Sequence, residues 1–205
     1  MSTCRTLLGL GFLTSLGLLF AFSAPRAGAA GSAAAAAPET FTIDTVHSTI
    51  LFRVKHMDVS YAYGRFNDFG GTIVADEAKP ESSRVEITIK TGSIDTGNDK
   101  RDGHLRTGDF FDAKQFDTAT FVSKSVKANG KDKVTIAGEL ALHGVTKPVT
   151  LEAERTGRAE NDKGTTVGYH ATTTIKRSDF GMNYGPGALG DEVLVTISIE
   201  ANKPK

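Results

Sequence analysis

The chain of 205 residues contains one cysteine, no tryptophan and 8% aromatic residues, and its 24 Lys and Arg are matched by 24 Asp and Glu. That balance excludes the strong basic excess a nucleic-acid binder normally shows. The lone Cys4 excludes an internal disulfide framework and a multi-cysteine metal site. Without tryptophan, the core must be built mainly from Val, Ile, Leu and Phe. No P-loop, dinucleotide fingerprint, G-x-S-x-G elbow or catalytic cysteine occurs. Only one long apolar run is present, at the N-terminus, so the chain is not a polytopic helical membrane protein. With 39% hydrophobic and 23% charged residues, it still has the composition of a folding domain.

The apolar run follows Met1-Ser2-Thr3-Cys4-Arg5 and extends over residues 6–24. A short basic start, an apolar centre and the small-x-small triplet Ala27-Gly28-Ala29 predict a signal peptide over 1–29 and a periplasmic destination. The alternative is a retained anchor, since the run is almost long enough to span a bilayer. Cleavage removes Arg5 and Arg26, leaving a small acidic excess, and it removes Cys4, which precedes the run and so is not placed for lipid attachment. Residues 30–38, almost all Ala and ending at Pro38, read as a disordered leader to a single domain over 39–205.

Beyond residue 40 the apolar residues alternate with period two, the mark of strands with one wet face. Val85, Ile87 and Ile89 share a phase, as do Val134, Ile136 and Leu140, Val149 and Leu151, and Val193, Val195, Ile197 and Ile199. Turn residues separate the runs at Asn129-Gly130, His143-Gly144 and Asn161-Asp162-Lys163-Gly164. The pattern predicts eight or nine antiparallel strands near 42–56, 59–66, 71–75, 83–90, 119–126, 133–141, 148–155, 166–176 and 192–201. Closure into an eight-stranded barrel removes the exposed edges, while a filled sandwich fits the same alternation. Residues 93–116 break the pattern. Their charges and sparse apolar anchors predict a short helix crossing one end of the sheet, and 181–191 form a second long loop.

Particular segments carry a family resemblance. They are Val46-His47-Ser48, His56-Met57-Asp58-Val59-Ser60, Gly64-Arg65-Phe66, Phe69-Gly70-Gly71, Ser93-Ile94-Asp95-Thr96, the run 101–106, Asp109-Phe110-Phe111-Asp112, the run 138–149 and Arg177-Ser178-Asp179-Phe180-Gly181. In this order and spacing, over about 40–203, the chain resembles the YceI-like family of exported polyisoprenoid-binding proteins. One departure is Phe116-Asp117-Thr118-Ala119-Thr120-Phe121, where relatives usually carry Pro after the aromatic. The resemblance implies an all-β, extended lipocalin-like antiparallel barrel, a long apolar ligand inside it and a homodimer.

An apolar ligand needs inward side chains that present carbon, because a polar group stranded beside a lipid tail costs several kcal/mol. The inward phases offer Phe52, Val54, Phe66, Ile87, Ile89, Phe121, Ile136, Leu140, Leu151, Tyr169, Ile175, Val195 and Ile197 as lining. Each of these also suits plain core packing. Phe110, Phe111 and Phe180 lie outside the strands and are placed to cap a barrel end. For a polar head group, His56 ends the inward phase of the first strand, and Arg177 shares the phase of Ile175. Arg101, His104 and Arg106 lie in the crossing segment, and arginine offers bidentate donors to a phosphate. The structural alternative is that His56 is hydrogen-bonded and the arginines are solvated or paired.

The five histidines show no H-x-H, H-x-x-x-H or HExxH spacing, and Asp44, Asp109 and Asp179 have no spacing that marks a carboxylate pair. Together with the resemblance, these absences predict a non-catalytic carrier without a cofactor; the partners the resemblance implies are a polyisoprenoid or similar lipid and, transiently, a membrane. Two rivals stay open. One is a periplasmic enzyme or metal-dependent protein using inward His and Asp, and the other is a partner-binding module with a filled core.

Overall fold

The computed structural model describes residues 37–205. The expected signal segment, and all but the last two residues of the Ala-rich leader, lie outside the described residues. The strands are β1 (Glu39–His56), β2 (Ser60–Phe66), β3 (Phe69–Ala75), β4 (Arg84–Lys90), β5 (Ile94–Asp95), β6 (Thr118–Ala128), β7 (Lys133–Leu142), β8 (Val145–Asn161), β9 (Gly164–Lys176) and β10 (Leu189–Pro204). The short helix α1 (Asp99–Leu105) lies between β5 and β6.

The sheet closes because β1 pairs along one edge with β10, from Thr42↔Asn202 to His56↔Leu189. Its other edge is shared. Glu39 to Thr42 pair with β3, and Ile50 to His56 pair with β2. β2 and β3 are thus two halves of one bent stave, and β5 extends β4 in the same way by pairing with β2. Counted as staves, the ring is an eight-stranded antiparallel closed barrel, as the resemblance implies and the alternation allows. Closure leaves no second sheet to make the filled sandwich. Strands overrun their predicted bounds chiefly in β8 and β10, where the exposed segment beyond Arg155 still pairs with β9 although its alternation is lost.

The bend in β1 explains Val46-His47-Ser48. Between Asp44↔Glu200 and Thr49↔Ser198 the register with β10 shifts, so residues 45–48 bulge from the wall. Asp44 Oδ1 accepts the backbone N–H groups of Val46 and His47, at 2.9 and 3.3 Å. Ser48 Oγ fills the broken ladder, donating to Glu200 O and accepting from Glu200 N at 3.1 and 2.9 Å. These residues satisfy a kink that would otherwise strand buried backbone groups.

Turn chemistry ends the strands as predicted. His143 and Gly144 join β7 to β8 with φ of 51° and 73°, the left-handed pair that a two-residue hairpin requires. The Phe116-Asp117 departure is accommodated without proline, because Thr91 donates its hydroxyl to Phe116 O at 2.7 Å and its N–H to Asp117 O at 3.0 Å.

The two halves of the barrel differ. Around the β1 start and β10 end, Phe41, Ile43, Ile73, Val126, Ile136, Ala153, Val167, Ile199 and Ala201 pack into a buried core. Ion pairs cover that end: Arg158 binds Glu39 and Glu160 at 2.7 and 2.8 Å, Arg155 binds Glu77 at 2.6 Å, and Lys203 binds Glu39 at 2.7 Å. The hydrogen bonds from Arg158 and Lys203 hold the Glu39 carboxyl down to about 2. We call this the packed end. The opposite end carries the β1–β2 hairpin, α1 and the loop between β9 and β10.

Candidate ligand cavity

Toward that opposite end the barrel is hollow, enclosing a cavity of about 790 Å³. Its floor is shared with the packed core through Ile50, Ile87, Phe121, Leu151 and Ile197. Above the floor, strand residues of one phase line the wall: Phe52 and Val54 from β1, Phe66 from β2, Ile89 from β4, Leu140 from β7, Ile175 from β9 and Val195 from β10. Two glycines let rings lie flat against this wall. A Cβ on Gly64 would collide with the Phe52 ring, and one on Gly138 with the Phe121 ring and Val122 O.

The crossing segment closes one side. Asn98 caps α1 by accepting the Arg101 N–H at 3.0 Å, and the buried Asp102 carboxylate accepts from the N–H and the hydroxyl of Thr96. With its charges turned outward or satisfied, the segment presents Leu105, Phe110 and Phe111 to the cavity. Phe111 meets Phe66 edge-on at 5.6 Å, and Phe66 lies 5.8 Å from Phe52. His104 stands 2.7 Å from Asp109 and packs edge-on against Phe110 and Tyr184 at 5.2 and 4.9 Å, joining the segment to the β9–β10 loop. The mouth lies where exposed His56, Ser60, Tyr61, Tyr63, Tyr184 and Ala188 line the cavity.

Sixteen of the twenty residues singled out from the sequence thus border one cavity: Phe52, Val54, His56, Phe66, Ile87, Ile89, Arg101, Phe110, Phe111, Phe121, Leu140, Leu151, Ile175, Arg177, Val195 and Ile197. Four do not. Ile136 points inward but lies in the packed half, against Val126 and Leu151. Tyr169 belongs to that half too, packed beside the core near Arg155, and burial raises its phenol above the ordinary value. Phe180 is buried in a separate cluster with Ala119, Leu142 and Met182, its carbonyl 2.9 Å from His143 Nδ1. Arg106 braces the β4–β5 link, donating to Gly92 O and Ile94 O at 2.8 and 2.7 Å.

Arg177 borders the cavity but is already engaged. Buried, it donates to the carbonyls of Gly190, Met182, Tyr184 and Leu189 at 2.6 to 3.2 Å, which ties down the mouth loop. Arg101 is exposed and spends Nε and Nη2 on Thr96, at 2.7 and 2.8 Å. His56 is exposed at the mouth. The charged and imidazole groups therefore gather at the rim, while Thr173 is a hydroxyl on the wall itself.

Sequence reasoning missed Ile50, Leu142, Val149 and Val193, although each shares the phase of a residue it named. Met182 and Tyr184 lie in a loop with no periodicity to reveal them, and Leu189 opens β10 within the stretch that the sequence predicts as loop. For metal, one group among the described residues brings ligand atoms together: Asp44, His47 and Glu200, within 4.8 Å of one another on the β1 bend. The Asp44 oxygens in it are already used. Asp44 Oδ2 accepts from Asn202 at 3.1 Å and faces His47 Nδ1 at 3.0 Å, while Oδ1 binds backbone N–H groups.

The fold and cavity define a closed antiparallel barrel with a blind apolar chamber opening at one end. The chain belongs to the YceI-like family, whose domain matches residues 41–201. It is 44% identical over 155 residues to a UPF0312 protein of Pseudomonas aeruginosa, covering 75% of this chain and 81% of the relative. It is 40% identical over 204 residues to Protein YceI of Escherichia coli O157:H7, covering 98% and 99%. The crystal structure of Burkholderia cenocepacia BcnA superposes with a TM-score of 0.73 at 26% identity, covering 78% of this chain and 99% of that one. A domain from Saccharophagus degradans described as polyisoprenoid-binding shares the fold, with a TM-score of 0.61 at 20% identity over 80% of this chain and 98% of that one.

Proposed function

We propose that the protein is an exported, non-catalytic carrier that holds a polyisoprenoid or similar long-chain lipid in the cavity, with its polar end at the mouth. The observation that carries this is the chamber itself. It has ligand-pocket dimensions, largely carbon walls from eight staves and polar groups at the rim. The description of the Saccharophagus domain supports the same ligand class.

Physical chemistry favours a carrier. Removing a lipid tail from water is worth roughly 0.8 kcal/mol per CH₂. A membrane offers the same apolar environment, so exchange between bilayer and barrel is near neutral and shape fit decides it. Loading and unloading then need little driving force. The rival enzyme would need a reactive group inside. The described residues that line the chamber bring His56, His104, Arg101 and Arg177 only to its rim, and Asp44 and Asp179 lie outside it.

Native mass spectrometry of the protein purified from its own exported fraction, followed by solvent extraction, tests the reading. A stoichiometric prenyl lipid is the expected result. An empty protein that also fails to take up added polyprenols or quinones overturns it.

A further inference from the structure

The β1–β2 hairpin is apolar where the fold gains nothing from being apolar. Its turn holds Met57 and Asp58 at φ of 50° and 57°, a conformation that suits aspartate and that a residue such as methionine rarely adopts. Yet Met57 is 61% exposed and Val59 82% exposed. Tyr61 and Tyr63 on the same hairpin, and Tyr184 on the facing loop, are about half exposed. Five of the eight large apolar side chains exposed among the described residues thus collect at one end of the barrel.

This patch is continuous with the cavity. Met57 donates its backbone N–H to Ala188 O at 2.8 Å, joining the tip to the loop that forms the other lip. Tyr61, Tyr63 and Tyr184 belong to the patch and to the cavity wall at once. The hairpin from Ile50 to Phe66 also carries Arg53, Lys55 and Arg65; Arg65 pairs with Asp95 of β5 at 3.4 Å and Lys55 lies 3.9 Å from Asp58, which leaves a net positive charge centred on Arg53. Arg53 stacks on the Tyr61 ring with its guanidinium carbon 4.5 Å from the centroid.

The chemistry of the patch decides what meets this surface. Apolar tips flanked by tyrosines, with Arg53 and Lys55 beside them against Asp58, have the composition of a group that lies at an anionic lipid headgroup layer. We propose that the β1–β2 hairpin, with Tyr184 beside it, docks the protein on an anionic phospholipid bilayer, Met57 and Val59 entering the boundary between headgroups and acyl chains. The mouth then faces the membrane, and under the carrier reading the cargo crosses without meeting bulk water.

Flotation of the purified protein with vesicles of phosphatidylcholine alone, and of equimolar phosphatidylcholine and phosphatidylglycerol, tests the proposal. The parent should bind the mixed vesicles more tightly than the neutral ones. The double variant Met57→Asp/Val59→Asp, changed at exposed positions outside the cavity wall, should lose binding by roughly tenfold or more. Arg53→Gln/Lys55→Gln should weaken binding to the mixed vesicles and reduce its salt dependence. Vesicle binding by the Asp double variant equal to the parent's overturns the proposal. So does a parent that ignores vesicles but forms a dimer which that variant breaks, because the surface then meets a second copy. Native mass spectrometry of the same variants separates this from the cargo reading: an empty protein that docks through the hairpin sinks the carrier and leaves the docking surface standing.

Discussion

The ring of Phe52 occupies the space in which a side chain on Gly64 would stand. The two are register partners on β1 and β2, and the ring edge fills the place of the missing Cβ, with Thr96 Cγ2 2.8 Å from it on the other side. Gly64→Ala therefore displaces two side chains, chiefly the Phe52 ring, which swings into the cavity, and to a lesser extent the Thr96 methyl. The expected result is a marked loss of polyprenol binding, with a stability cost near the low end of the about 1–3 kcal/mol typical of overpacking. Gly138→Ala provides the contrast, since Val122 O lies 2.6 Å from the added carbon and a carbonyl in a ladder cannot swing aside. It should cost stability at the upper end of that range. Urea unfolding and lipid titration of both variants check the pair, and equal stability losses would count against that displacement.

The division of the barrel predicts a second contrast. Phe41 is fully buried in the packed half, whereas Phe52 is half-buried and borders the chamber. Phe41→Ala should cost about 3–5 kcal/mol, as expected for a truncated core phenylalanine. Phe52→Ala should cost clearly less in urea unfolding and weaken lipid retention instead. Comparable stability losses would mean that the upper half is packed as tightly as the lower.

How much of this was legible in the sequence follows from what period two encodes. Alternation assigns a face, and so the apolar phases of β1, β4, β7, β9 and β10 predicted inward residues correctly. It says nothing about height along the barrel. Ile136 and Leu140 share a phase on β7, yet one is in the packed core and the other on the cavity wall. Tyr169 and Ile175 are separated in the same way on β9. Height depends on register and strand stagger, which come from pairings distant in sequence. The Val46-His47-Ser48 segment was recognisable as a motif, but its role needed Glu200, which lies far along the chain on β10.

Arg177 was read from phase as a head-group ligand, and its hydrogen bonds instead predict a role in holding the mouth. Four backbone carbonyls converge on one buried guanidinium. A lysine keeps the charge but cannot span that fork, and a methionine leaves carbonyls without donors. Arg177→Lys should cost about 2 kcal/mol and Arg177→Met about 3 kcal/mol or more. Hydrogen exchange should quicken at the amides of Gly181, Met182, Ala188 and Leu189 while β6 to β8 stay protected. Uniform loss of protection would show that the arginine supports the whole barrel and not the loop.

The kink in β1 carries the clearest pH dependence. His47 Nδ1 lies 3.0 Å from Asp44 Oδ2 and 3.8 Å from Glu200 Oε1. The hydrogen bond and charge of Asp44, then the charge of Glu200, raise the His47 pKa above 6.5. The same His47 hydrogen bond, with the backbone N–H of Val46, lowers the Asp44 pKa below 3.8. A raised histidine stabilises the fold fully below its unfolded pKa, and the contribution fades as pH rises through the higher folded value. A lowered carboxylate stabilises above its unfolded pKa and fades as pH falls through the lower folded one. The kink is therefore firmest between those limits and loosens on the alkaline side as His47 loses its proton. Both groups are solvent-screened, so the effect is small and is best read as a difference. His47→Gln should flatten the melting temperature above pH 6.5 relative to the parent, and Asp44→Asn should move the His47 titration back toward 6.5 by NMR. Parallel melting curves for parent and His47→Gln on both sides of that pH would show that the pair contributes nothing to the fold.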